Sequence, residues 1–137
     1  TEDGHILLNR QYKHGIGLVV FEFPAGGLDP HEDDPMLAAR RELMEETGYS
    51  VANDQIELLA EMLANPTGAE TRIWWYLAHN VRKTGTQKID PVEVIENLLV
   101  TPAELLDLIH SGQFPVQGQI AAAYLALERL GLLKTNF

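Results

Sequence analysis

The chain has no cysteine, and only ten basic residues stand against twenty acidic ones. The first absence excludes disulfides and thiolate metal sites and is compatible with a reducing cytoplasm, the expected compartment. The second leaves a formal net charge of −10. Its few lysines and arginines are scattered, which argues against the basic stripe of a nucleic-acid binder. No apolar run approaches the ~20 residues of a membrane-spanning helix, and no signal peptide is expected at the start. Neither nucleic acid nor a membrane is therefore an expected partner, and most of the acidity reads as solubility. Repeats and low-complexity segments are also lacking. What remains is 137 residues with 45% apolar content, enough for one domain with a sizeable core.

Ile6–Arg10, Ile16–Phe23, Ile56–Ala64, Arg72–Val81 and Val94–Val100 read as strands, β-branched or aromatic and bounded by turn residues. A helix is expected over 35–47. Thr101-Pro-Ala-Glu104 is a capping box with proline at the first helical position, opening a second helix that ends near Gly112. Ile120–Leu133 reads as a final amphipathic helix. This order predicts an α/β fold, a mixed β-sheet packed between α-helices. Lys83–Asp90 is the most polar stretch and is expected to be a mobile loop.

The most informative segment is Arg41-Glu-Leu-Met-Glu-Glu-Thr-Gly-Tyr49. On a helix, Glu42, Glu45 and Glu46 share one face, where like charges cost a few tenths of a kcal/mol per pair. A divalent cation would offset that cost, and clustered carboxylates suit a hard ion, Mg²⁺ or Mn²⁺. The plainer reading is an acidic surface helix. Asp34 fits as N-cap, Pro35 as first helical residue and Gly48 as C-terminal stop. Met36, Ala39 and Leu43 form an apolar stripe, with Leu37 and Met44 offset. The acidic face lies between them and carries small Ala38.

Upstream, Glu22-Phe-Pro-Ala-Gly-Gly27 runs a strand end into a glycine-rich turn. Together the two segments resemble the signature of the Nudix hydrolase superfamily: Gly, five residues, Glu, seven residues, then Arg-Glu-U-x-Glu-Glu-x-Gly-U, with U bulky and apolar. The second half matches from Arg41 to Gly48, with Tyr49 in the last position. The first half has two registers. Gly27 keeps the spacing but puts Asp33 where Glu is expected, and Gly26 meets Glu32 but leaves eight residues before Arg41. Gly4-His-Ile-Leu-Leu-Asn-Arg-Gln-Tyr-Lys13 and Asn65-Pro-Thr-Gly-Ala-Glu70 are similar to the ADP-ribose pyrophosphatase-like subfamily, as is Val92-Glu-Val94 leading into Thr-Pro-Ala-Glu-Leu-Leu. Lys13 stands there for the usual Arg, and Phe23 for the usual Leu.

The resemblance implies one Nudix domain over 1–137, lacking an N-terminal strand region that relatives contribute to a homodimer. It implies metal-dependent cleavage of a nucleoside diphosphate sugar, ADP-ribose above all, to AMP and ribose 5-phosphate. Glu42 and Glu46 become the main ligands of Mg²⁺ or Mn²⁺, Glu45 a bridge or outer partner, and the Ala25 carbonyl a further ligand. Gly26 and Gly27 form the turn facing the substrate, and Arg41 orients a glutamate. The general base is an acidic residue on a late loop, Asp90 or Glu93. Asp90 reads equally as a turn former and Glu93 as the polar side of a strand. Lys13 matches a phosphate-contacting position, against a solvated strand end. Trp74, Trp75 and Tyr76 read as core packing and His31 as a surface turn. The rivals are another substrate (GDP-mannose, a dinucleotide or a nucleoside triphosphate) and a module that senses a nucleotide sugar without cleaving it.

Overall fold

The computed structural model describes residues 1–89 and 94–133. In chain order the elements are β1 (Ile6–Lys13), β2 (Leu18–Glu22), α1 (Pro35–Thr47), β3 (Tyr49–Ser50), a 3₁₀ turn (Asn53–Gln55), β4 (Ile56–Asn65), β5 (Ala69–Ala78), β6 (Arg82–Lys83), β7 (Ile95–Val100), α2 (Pro102–His110) and α3 (Gln117–Arg129). The fold is α/β, as expected. β1 is the centre of a three-stranded sheet between β2 and β7; β4 and β5 form a long hairpin, and β3 pairs with β6. The described pairings are antiparallel.

Side chains alternate across a strand, and in β1 the two faces differ in chemistry. Leu8 points into the hydrophobic core with Val100, Leu105, Phe114, Ala123 and Leu127, the space between the sheet and helices α2 and α3. Leu7, Asn9, Gln11 and Lys13 lie on the opposite face. The register sets Asn9 beside Asn97 of β7 and Glu22 of β2, one polar row across three strands. Asn9, Gln11 and Glu22 are all buried there. A polar row of this kind needs polar partners above it, and α1 supplies them.

The ends of α1 fall where local chemistry puts them. Asp34 accepts from the Met36 N–H at 2.9 Å, and Pro35 follows at the first helical position. Gly48 closes the helix in the left-handed region, φ 73°, donating to the Met44 carbonyl at 2.8 Å. At α2 the capping box is complete: the Glu104 N–H donates to Thr101 Oγ1 and the Thr101 N–H to Glu104 Oε2.

Three points of the structure bear on these expectations. The apolar stripe of α1 is not its most buried side: Leu37 is exposed, Met36, Ala39, Leu43 and Met44 are half-buried, and the buried residues are Ala38 and Thr47. Two members of the acidic face are turned inward, Glu46 onto the polar row of the sheet and Glu42 against Gly26, while Glu45 stays more open. The stretch after Lys83 is tied down as far as Lys88. Thr84 and Gly85 donate their N–H groups to the Gly48 carbonyl, both at 3.0 Å, and Lys88 donates to the Glu45 carbonyl at 2.7 Å. The aromatic trio of β5 is half-buried rather than core; Trp75 lies against the first turn of α3, where a Cβ on Gly118 would sit 3.3 Å from its ring.

Candidate active site

Arg41 is the organising cation. Its Nε and Nη2 make a bidentate pair with Glu32, at 2.9 and 2.8 Å, the geometry in which guanidinium and carboxylate bind most strongly. Nη2 also donates to the Gly27 carbonyl at 2.9 Å. Nη1 reaches Glu42 Oε1 at 2.9 Å and Glu45 Oε2 at 3.0 Å. Of the two registers of the first half of the motif, these contacts match the one through Gly26: Glu32, not Asp33, is the partner of Arg41. Hydrogen bonding to Arg41 holds the Glu32 carboxyl down at about 2, helped by the Asp29 N–H, and Glu32 in turn raises the Arg41 pKa further above its ordinary value.

Glu46 points into the polar row of the sheet. Its Oε2 accepts from the Asn9 side-chain amide and from the Ala25 N–H, each at 2.9 Å. Burial pushes its carboxyl up to about 7; the Ala25 N–H pulls it down, while the charges of Glu42 and Glu22 add to the rise. Glu42 lies against the glycine-rich turn, only 17% exposed. A Cβ built on Gly26 would fall 1.9 Å from the Glu42 Cδ, whereas one on Gly27 would meet nothing within 4 Å. The two glycines thus differ: Gly26 makes room for a carboxylate, and Gly27 lends its carbonyl to Arg41. Glu45 is the most open of the three, 41% exposed.

The other expected residues are less gathered. Lys13 is paired with buried Glu22 at 2.5 Å and donates to Gln11 at 2.8 Å, so it is tied into the sheet face rather than standing solvated at a strand end. His31 is exposed in a turn. Asp90 and Glu93 lie outside the described residues. Among the described residues, no three carboxylate or imidazole groups converge closely enough to hold an ion by themselves; Glu42 and Glu45 are both bonded to Arg41.

A Nudix domain model matches residues 1–119. The chain belongs to the Nudix family. Within it, the chain is 32% identical over 130 residues to a methanol dehydrogenase activator of Bacillus methanolicus, covering 93% of this chain and 69% of that protein. It is 28% identical, with the same coverage, to an ADP-ribose pyrophosphatase of Bacillus subtilis. An ADP-ribose pyrophosphatase of Mycobacterium tuberculosis is 34% identical over 84 residues, 61% of this chain and 40% of that protein. The crystal structure of an ADP compounds hydrolase superposes with a TM-score of 0.80 at 24% identity, covering 96% of this chain and 70% of that one; at that identity the likeness speaks for the fold.

The Nudix helix of this hydrolase also rests on residues that motif reading passed over. Asn9, Asn97, Gln87 and Glu22 surround Glu46 or the base of its helix. Gln119, buried on α3, accepts from the Phe23 N–H at 2.6 Å and so steadies the strand end that enters the glycine-rich turn. A signal for part of this was present. Asn9, Gln11 and Lys13 alternate along β1, which marks a polar sheet face. Their partners come from distant stretches that no periodicity connects.

Proposed function

We propose that this Nudix hydrolase is a divalent-metal-dependent pyrophosphatase of nucleoside diphosphate sugars, with ADP-ribose, cleaved to AMP and ribose 5-phosphate, as its substrate. The observation that carries this reading is the inward turn of Glu42 and Glu46 on α1. Glu42 lies against Gly26 of the turn, and Glu46 accepts from the N–H of Ala25, the residue before it, and is crowded by Glu42 and Glu22. The names of two relatives support the substrate class.

The donor set fits Mg²⁺ or Mn²⁺, since it offers hard oxygens only, and the crowding around Glu46 is what a cation relieves. Glu42 and Glu46 are the ligands in this reading, with Glu45 beside them and the Ala25 carbonyl as a backbone donor; water and substrate phosphate complete the set. When bound, the metal polarises phosphoryl oxygens and lowers the pKa of water. The chain's own residues do the placing. Arg41 bridges Glu42 and Glu45 and offsets their repulsion, Gly26 lets Glu42 approach the turn, and Gly27 and Lys13 meet the substrate in this reading. Asp90 or Glu93 serves as general base. A homodimer is part of the same reading.

The test is turnover of purified protein with Mg²⁺ against a panel of nucleoside diphosphate sugars, dinucleotides and triphosphates, reading released monophosphate. ADP-ribose should be preferred, EDTA should abolish the rate, and Glu46→Gln should nearly abolish it with the fold intact. Preference for another member of the panel would replace the substrate. Binding of ADP-ribose without turnover would favour a sensing module, and wild-type rates in Glu46→Gln would remove the metal assignment.

A further inference from the structure

The end of α1 that carries Glu46 is surrounded by side-chain amides that all turn the same way. Asn9, fully buried, donates Nδ2 to Glu46 Oε2 at 2.9 Å and accepts at Oδ1 from Asn97 Nδ2, also at 2.9 Å. The same Asn97 nitrogen donates to the Glu46 backbone carbonyl at 3.1 Å. Gln87 Nε2 donates to that carbonyl at 2.7 Å and to the Ile95 carbonyl at 3.1 Å. The orientations are mutually enforced. With its nitrogen held by the Glu46 carbonyl, Asn97 can offer Asn9 only a donor. Asn9 must then face it with oxygen and face Glu46 with NH₂. Turning Asn9 over would set its oxygen against a carboxylate and its NH₂ against another NH₂, leaving buried polar groups unpaired.

The consequence lies at the carboxylate. Asn9 and the Ala25 N–H both converge on Oε2, while Oε1 takes no hydrogen bond among the described residues. We propose that Asn9 and Asn97 are positioning residues of this enzyme: a two-amide relay that anchors one oxygen of Glu46 and leaves the other to face the metal. The proposal rests on the reading of Glu46 as a metal ligand. It concerns orientation and involves no proton movement. Outer partners that orient a ligand are commonly worth 10–100-fold in metal affinity, which makes the effect measurable without substrate.

The experiment titrates Mn²⁺ into the full chain and follows free Mn²⁺ by EPR. It compares wild type, Asn9→Leu, Asn97→Ser and Glu46→Gln, with circular dichroism and thermal melts to count folded protein. Asn9→Leu should raise the Mn²⁺ dissociation constant about 10–100-fold and raise the Mn²⁺ needed for half-maximal rate by the same factor. KM for the substrate at saturating Mn²⁺ should stay unchanged. Asn97→Ser should shift Mn²⁺ binding the same way by a smaller factor, and it decides the question if Asn9→Leu does not fold. A merely structural role would lower the melting temperature and leave Mn²⁺ affinity per folded molecule untouched. The proposal is overturned if the amide variants bind Mn²⁺ like wild type while Glu46→Gln binds it weakly. If Glu46→Gln also binds like wild type, the ligand assignment fails instead, and the relay with it.

Discussion

At the scale of single residues, the two glycines before the helix have unequal roles. Gly26→Ala would place a methyl group where the Glu42 carboxylate now sits. The carboxylate is the far end of a flexible side chain, so it moves aside and the protein folds. Its displacement should lower kcat on the order of a hundredfold, the usual cost of misplacing a reacting group by about 1 Å. Gly27→Ala, with open space around it, should keep near wild-type kcat; steady-state kinetics of the pair checks this. Glu32 offers a prediction in pH. Its carboxyl sits at about 2 in the folded protein against an ordinary 4.5. The depressed value means that its contribution to stability is present above about pH 4.5 and lost as pH falls through 4.5 towards 2. Thermal melts of Glu32→Gln should therefore lie below wild type at pH 7 and draw level with it near pH 2. A gap that persists in acid would mean that Glu32 stabilises by packing instead.

Helix α1 as an element is tied to distant residues at its C-terminal end, where the last carbonyls have no partners within the helix. The Glu45 carbonyl accepts from Lys88, that of Glu46 from Asn97 and Gln87, and that of Gly48 from Thr84 and Gly85. Gly48 makes this possible by turning left-handed, and its missing side chain matters twice, since a Cβ there would also fall 2.5 Å from the Gly85 carbonyl oxygen. An L-residue forced into that conformation costs roughly 1–2 kcal/mol. Gly131 also has a positive φ, 69°, but a Cβ there meets nothing within 4 Å among the described residues. Gly48→Ala should thus lose more stability than Gly131→Ala in denaturant melts, the difference reporting the clash with the loop. Equal losses would mean that the loop gives way freely. The boundaries of α1 were legible in the sequence because Asp34, Pro35 and Gly48 act on their immediate neighbours. The face that it buries was not, since the apolar stripe of Met36, Ala39 and Leu43 points one way and the polar row of β1, β2 and β7 draws the helix another.

For the whole molecule, twenty acidic residues against ten basic ones and a buried, crowded Glu46 predict that a divalent ion stabilises the fold itself. Mn²⁺ at about a hundred times its dissociation constant should add about 2.7 kcal/mol, visible as a rise in melting temperature that EDTA reverses and Glu46→Gln removes. An unchanged melt in saturating Mn²⁺ would count against a metal site built into the folded chain. The sequence by itself determined the α/β class, the helix over 35–47 with its caps, the capping box at Thr101 and the sharing of one face by Glu42, Glu45 and Glu46. Each follows from interactions between residues a few positions apart. Only the tertiary structure decided that Glu32 rather than Asp33 meets Arg41, that Gly26 rather than Gly27 is the close approach, that Lys13 is bound by Glu22, and that Asn9 and Asn97 stand beneath Glu46. Asn9 and Asn97 are 88 residues apart and meet because the register of β1 against β7 places them side by side. Strand register is set by the burial of whole sheet faces, and no local pattern of residues encodes it.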